Sequence, residues 1–122
     1  MRRTHSIPIF LVALCAIVLS TALITYAADA EEGKKLYGQY CALCHGQSGK
    51  GDGPGSANLN PKPRDHTDKE YMSKLSDDDL LKVIKNGGAS IGKSPLMPPW
   101  GGALKDDQIK DVIAYVRTLC CQ

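Results

Sequence analysis

Cys41-Ala42-Leu43-Cys44-His45 carries the spacing most able to do chemistry: two thiols three residues apart, with an imidazole directly after the second. This is the C-x-x-C-H pattern of covalent c-type haem attachment. On a helix, positions i and i+3 share a face, so both thiols reach one flat ligand. There they form thioethers to the two vinyl groups along one porphyrin edge. His45 then offers a ring nitrogen to the iron from beneath the macrocycle. Two other chemistries use a bare C-x-x-C: a thioredoxin-like redox pair and half of a zinc site. The adjacent histidine argues against the first. The lack of a second C-x-x-C or of paired histidines argues against the second.

The sixth iron position decides between electron transfer and chemistry on a substrate. Of three histidines, His5 lies in an N-terminal leader and His45 in the motif, which leaves His66. The methionine candidates are Met72 and Met97. Met97 sits in Pro95-Leu96-Met97-Pro98-Pro99-Trp100-Gly101-Gly102. Prolines fix the backbone and prevent helix, so this is a stiff loop holding a thioether, suited to a ligand that must keep its place while the iron changes oxidation state. Met72, at the edge of a short helical turn, reads as core filler. Met97 is the expected ligand; His66, Met72 and an open site are the alternatives. Apart from His66, no distal acid–base pair is evident.

The elements that must position these groups are helical. Asp29 to about Leu43 reads as a helix with acids at its start, where they suit the dipole, and with Leu36, Tyr37, Tyr40 and Leu43 at helical spacing. It delivers both cysteines. Gly46 to Pro63, rich in Gly, Pro, Asn and Ser, reads as a long ordered loop that wraps the proximal haem face. Asp68 to Ser73 reads as a short helical turn. Ser76 is an N-cap signal ahead of Asp77, Asp78 and Asp79; Leu80, Leu81, Val83 and Ile84 form that helix's buried stripe, and Gly87-Gly88 ends it. Ala89 to Gly102 is loop. The last helix runs from about Asp106 to Leu119, with Ile109, Val112, Ile113 and Val116 on one face. No strand pattern, repeat or linker appears, so the fold class is all-α.

Arg2 and Arg3 begin a short basic region, and an apolar run follows from Ile7 to Ile24, broken by Ser20 and Thr21. Small residues before Ala28 match a signal-peptidase site after Ala27, with a second site after Ala30. Residues 1–27 therefore read as a signal peptide and 28–122 as the domain. The run exceeds the usual core of about 7–15 residues and approaches the roughly 20 that span a bilayer, so an uncleaved membrane anchor is the alternative. In either case the domain lies outside the inner membrane, in the periplasm. A lipid anchor at Cys15 is disfavoured by Leu14, and the flanks of the paired arginines match twin-arginine export poorly.

After cleavage about 95 residues remain, one small domain that needs a cofactor to complete its core. Without Arg2 and Arg3 the 15 Lys+Arg become 13, equal to the 13 Asp+Glu. A near-neutral domain excludes nucleic acid, whose binding needs a strong basic patch. Lys50, Lys62, Arg64 and Lys93 fall in loops that border the haem or simply face solvent. Cys120 and Cys121 stand side by side at the C-terminus. Neighbouring Cα atoms lie about 3.8 Å apart, short of the ~4.4–6.8 Å a disulfide usually spans, so an unpaired, frayed tail is expected, or a cross-link between two molecules.

With the C-x-x-C-H near the start, the Gly-rich loop, the late Met-Pro loop and the closing amphipathic helix in this order, the chain resembles the small bacterial class I cytochromes c, from about Asp29 to Leu119. The resemblance implies three to five helices packed around one covalently attached haem c, with His45 and Met97 as axial ligands. It also implies that helices near the two termini cross at Gly33, Tyr37 and Tyr115. Pro54 matches the proline whose carbonyl binds the axial histidine. Trp100 and Arg64 resemble residues that line or bond the propionate edge. Cys120-Cys121 stands outside the family pattern.

The expected function is that of a periplasmic electron carrier rather than an enzyme. It would pass single electrons between redox proteins, namely membrane respiratory complexes or periplasmic reductases. The rivals are a membrane-anchored haem subunit of an oxidoreductase complex, and a five-coordinate gas-binding or peroxidase-like protein.

Overall fold

Asp29 starts the first helix by accepting the backbone N–H groups of Glu31 and Glu32, 2.9 and 3.2 Å away, on one carboxylate oxygen. The computed structural model describes residues 26–122. The basic start and apolar run of the expected leader lie outside the described residues. The chain forms α1 (Ala30–Tyr40), α2 (Ala42–His45), a 3-10 turn (Pro54–Ser56), α3 (Lys69–Met72), α4 (Asp77–Asn86), a second 3-10 turn (Gly88–Ile91) and α5 (Asp106–Cys120). No strand occurs among the described residues. No helix among them is long and apolar enough to cross a membrane.

The caps follow the sequence. Ser76 and Asp79 form a reciprocal capping box at α4, and Gly87, at φ 82°, ends it. The single helix expected through Leu43 instead breaks at Cys41, whose φ of −112° separates α1 from α2. Hydrogen bonding passes through the break: Cys41 N–H binds the Tyr37 carbonyl, and His45 N–H the Cys41 carbonyl, both at 2.9 Å. The break therefore redirects α2 without detaching it.

The N- and C-terminal helices cross tightly. A methyl group at Gly33 would run into the backbone carbonyl of Asp111, so only glycine permits this approach. Tyr37, 1% exposed, meets Tyr115 edge to face with ring centroids 5.1 Å apart. Beside the crossing, the buried Asp111 carboxylate accepts the N–H of Asp29 at 2.7 Å and the hydroxyl of Tyr26 at 2.6 Å. Tyr26 and Asp29, ahead of α1, are thus tied to α5. Ile109, Val112, Ile113 and Val116 turn inward from α5 to meet Leu36, Leu80 and Ile84. Arg117 ties the α3–α4 turn to α5, donating to the carbonyls of Met72 (2.8 Å) and Leu75 (2.6 Å) and to Asp77 (2.9 Å).

Gly33→Ala is expected to destabilise the haem-loaded protein by about 3 kcal/mol, the upper range for overpacking. That lowers the melting midpoint by roughly 4–8 °C per kcal/mol in a domain of this size. Gly38 lies on the open side of α1, where an added methyl meets only a glutamine side-chain atom at 4.0 Å. Gly38→Ala should therefore raise stability, by up to about 1 kcal/mol from helix propensity. Thermal unfolding of both variants checks the sign difference; two equal shifts would mean the crossing is not tight.

The C-terminus corrects one expectation. Cys120 and Cys121 are joined to each other in a disulfide, with Cα atoms 3.7 Å apart, rather than standing free. The chain leaves helical geometry there, Cys121 taking φ −123° and ψ 25°. The two side chains are thus not held in the divergent directions that a continuing helix imposes. The pair packs against the edge of the core instead of fraying.

Candidate haem site

An apolar cavity of about 220 Å³ lies between α1–α2, α4, α5 and the two long loops. Cys41, Cys44, His45, Arg64, Met97 and Trp100 all line it. α2 supplies the first three. Cys44 N–H and His45 N–H both bind the Cys41 carbonyl, at 3.2 and 2.9 Å, and this helical turn brings the three side chains to one wall. Cys41 and Cys44 are free thiols. Burial, reinforced by Cys44, pushes the Cys41 thiol up to about 12. A thiol kept neutral is the opposite of the low-pKa thiolate that rapid disulfide exchange requires. Nor do the described residues contain a group of three His, Cys, Asp or Glu side chains placed to hold a metal ion.

His45 is buried, and its Nδ1 lies 3.0 Å from the Arg64 carbonyl oxygen. A carbonyl only accepts, so Nδ1 carries the proton and Nε2 keeps its lone pair. Burial holds the imidazole below its ordinary pKa, against a smaller upward pull from that carbonyl. The ring is neutral, as a ligand must be.

Arg64 O replaces the carbonyl of Pro54 expected in this role. Gly51 N–H binds the His45 carbonyl at 2.8 Å and Gly53 N–H the Cys44 carbonyl at 3.1 Å, folding the loop back under α2. Pro54, itself exposed, then opens the 3-10 turn and does not line the cavity. The chain returns at residues 64–66, where His66 N–H binds the Gly49 carbonyl and Arg64 comes under the imidazole. The Arg64 guanidinium lies 3.8 Å from the centroid of the Tyr71 ring, a cation–π contact at the cavity mouth.

Met97 projects from a loop stitched to the end of α4. Its carbonyl accepts Gly88 N–H at 3.0 Å, its N–H reaches Ser94 O at 3.3 Å, and the N–H groups of Trp100 and Gly101 bind the carbonyls of Ile84 and Lys85, each at 2.9 Å. Gly87 faces the Met97 carbonyl so closely that a Cβ there would sit 3.0 Å away. The Trp100 ring stands edge-on to Tyr40, centroids 5.4 Å apart. Met72 is buried in the core and also reaches the cavity. His66 stacks on His45, ring centroids 4.2 Å apart and planes 17° from parallel, so it stands beside His45 rather than across from it. The Arg64 carbonyl and the Tyr37–His66 pair were invisible in the sequence, since nothing local marks which backbone oxygen a long loop will present.

Helices from both ends of the chain crossing beside a cavity with this donor set define a small class I c-type cytochrome. The chain belongs to the family described as cytochrome c oxidase, cbb3-type, subunit III, which it matches over residues 28–116. It is 34% identical over 92 residues to the cbb3-type cytochrome c oxidase subunit FixP of Bradyrhizobium diazoefficiens, covering 75% of this chain and 28% of that protein. It is 32% identical to cytochrome c6 of a Synechococcus strain, covering 87% of this chain and 86% of that one. Among solved structures it is similar to the KustC0563 c-type cytochrome, with TM-score 0.57, 30% identity, and 72% and 96% of the two chains covered. The chain is thus a c-type cytochrome by family, a family whose cofactor is haem c, and it spans little more than a quarter of the FixP relative's length.

Proposed function

We propose that this protein is a periplasmic electron carrier with one haem c, attached through Cys41 and Cys44 and ligated by His45 and Met97, and that it catalyses no reaction of its own. The observation that carries this reading is the convergence of two free thiols, a neutral imidazole and a thioether on one apolar cavity. When bound, the haem supplies a one-electron Fe(III)/Fe(II) couple. The chain's residues do the rest. The Arg64 carbonyl fixes the tautomer of His45 and strengthens it as a ligand. Met97 favours the reduced state and raises the potential. The apolar wall excludes water, and two thioethers keep the group in place while partners come and go. Arg64 and Trp100 line the same cavity and would border the propionates.

With His45 and Met97 both held by the iron, no position would remain for a substrate. The partners are an electron donor and acceptor, membrane respiratory complexes or periplasmic reductases. A second reading is supported by the family match and the FixP likeness: a haem subunit anchored to a membrane oxidoreductase. This chain spans little more than a quarter of the FixP relative's length, and N-terminal sequencing of the mature protein separates carrier from anchored subunit. A gas-binding or peroxidase role is less well supported, because His66, the one extra candidate for distal acid–base work, lies against His45.

The test is the optical spectrum of the purified protein, ferric and ferrous, with and without carbon monoxide. A ferric methionine-to-iron band and no response to carbon monoxide are expected. A ready carbon monoxide complex without that band would overturn the ligation and with it the carrier role.

A further inference from the structure

We propose that His66 is a positioning residue for the axial ligand: docked face to face on His45 and tied to Tyr37, it holds the plane in which the His45 ring meets the iron. The inference rests on His45 being the proximal ligand, as argued above. The hydrogen bond from Nδ1 to the Arg64 carbonyl at 3.0 Å restricts rotation of the ring about its Cβ–Cγ bond from one edge only. A flat surface against the ring face narrows that rotation further. His66 supplies it, with centroids 4.2 Å apart and planes within 17°.

His66 is itself held at three points. Its N–H binds the Gly49 carbonyl at 2.6 Å. Its Nδ1 lies 3.0 Å from the Tyr37 hydroxyl, which donates when the ring's own proton sits on Nε2. Its edge faces the Tyr37 ring at 5.8 Å. Tyr37 in turn is 1% exposed and wedged against Tyr115 at the α1–α5 crossing. The α1–α5 crossing thus reaches the ligand through Tyr37 and His66. The plane of an axial imidazole sets how it overlaps the iron orbitals, so it shapes the paramagnetic spectrum and the potential without any change of ligand.

The test uses the haem-loaded protein and three variants. In the ferric proton spectrum, the order and spread of the four haem ring-methyl resonances report the imidazole plane. His66→Leu fills the same space without a flat face and should reorder the methyl resonances and shift the potential. His66→Phe restores the face and should return the methyl order to that of the parent. Tyr37→Phe, which removes only the hydroxyl, should shift the pattern in the same direction as His66→Leu by a smaller amount. A His66→Leu spectrum identical to the parent, or a His66→Phe spectrum as altered as that of His66→Leu, overturns the proposal. Should His66→Leu fail to retain haem, Tyr37→Phe decides, and an unchanged pattern in it overturns the proposal. Failure of the ligation itself looks different: the parent protein would then show no low-spin methyl pattern at all.

Discussion

Replacing Met97 by alanine is expected to lower the reduction potential of the holoprotein and to open its iron to carbon monoxide. The fall should be on the order of a tenth or more of the roughly 0.8 V range over which axial ligands set haem potentials. The structural ground is that the side chain and its loop are separable. The loop is held by backbone bonds: Gly88 N–H to the Met97 carbonyl, Trp100 N–H to Ile84 O and Gly101 N–H to Lys85 O. Pro95, Pro98 and Pro99 stiffen it further. Losing the thioether should leave that framework standing, so the effect reads on the ligand and not on a collapsed loop. Met72→Leu is the control. Met72 also reaches the cavity, but it is 1% exposed and its carbonyl is bound by Arg117, as befits a core residue. A near-isosteric swap there should cost under about 1.5 kcal/mol and leave the potential close to that of the parent. Spectroelectrochemical titration of the two variants, each followed by exposure to carbon monoxide, makes the comparison. An unchanged potential in Met97→Ala, or a large change in Met72→Leu, would move the sixth ligand away from Met97.

Much of this architecture was legible in residue types, and the reason is local physics. Asp29, Ser76 and Gly87 announce helix ends because capping depends on one side chain or one backbone conformation. The stripe from Ile109 to Val116 announces a buried face because helical periodicity is a property of the element alone. The cysteine–histidine motif announces a haem because the chemistry needs those atoms at that spacing. What could not be read depends on where distant backbone goes. The oxygen beneath His45 belongs to Arg64 because the loop folds under α2 at Gly51 and Gly53 and turns Pro54 outward; a carbonyl leaves no mark in a sequence. Elimination among the histidines makes His66 a distal candidate, whereas the loop closing on Gly49 lays it on His45. The burial of Asp111 is explained only by Tyr26 and the Asp29 N–H, more than eighty residues away. The break at Cys41 is a matter of one dihedral angle. The Cys120–Cys121 bond falls outside the usual Cα separations of disulfides, and it forms where the helix ends and Cys121 leaves helical geometry.

The cavity also determines what the chain can be without its cofactor. The Cys41→Ser/Cys44→Ser protein is expected to lose most of its native helix content and its cooperative melt. A void of about 220 Å³ in an apolar core costs on the order of 5 kcal/mol at about 24 cal/mol per Å³, against a total stability of only about 5–15 kcal/mol for a typical domain. The elements around the void cannot stand alone. α3 has 4 residues and α4 has 10, both below the roughly 12–15 at which an isolated helix becomes even marginal in water. The loops that carry Arg64 and Met97 are bonded to α2 and to the end of α4, so they should loosen as those short helices do. The α1–α5 crossing is different, since Gly33, Asp111 and Tyr115 pack there without lining the cavity, so any residual helix should come from those two elements. Far-UV circular dichroism against the haem-loaded parent measures the loss, and a temperature scan measures cooperativity. The single variants Cys41→Ser and Cys44→Ser each keep one thioether and should fall between parent and double variant. Native-like helix with a sharp melt in the haem-free double variant would mean that the apolar side chains close the void by themselves, and that the haem is a guest in this fold instead of its core.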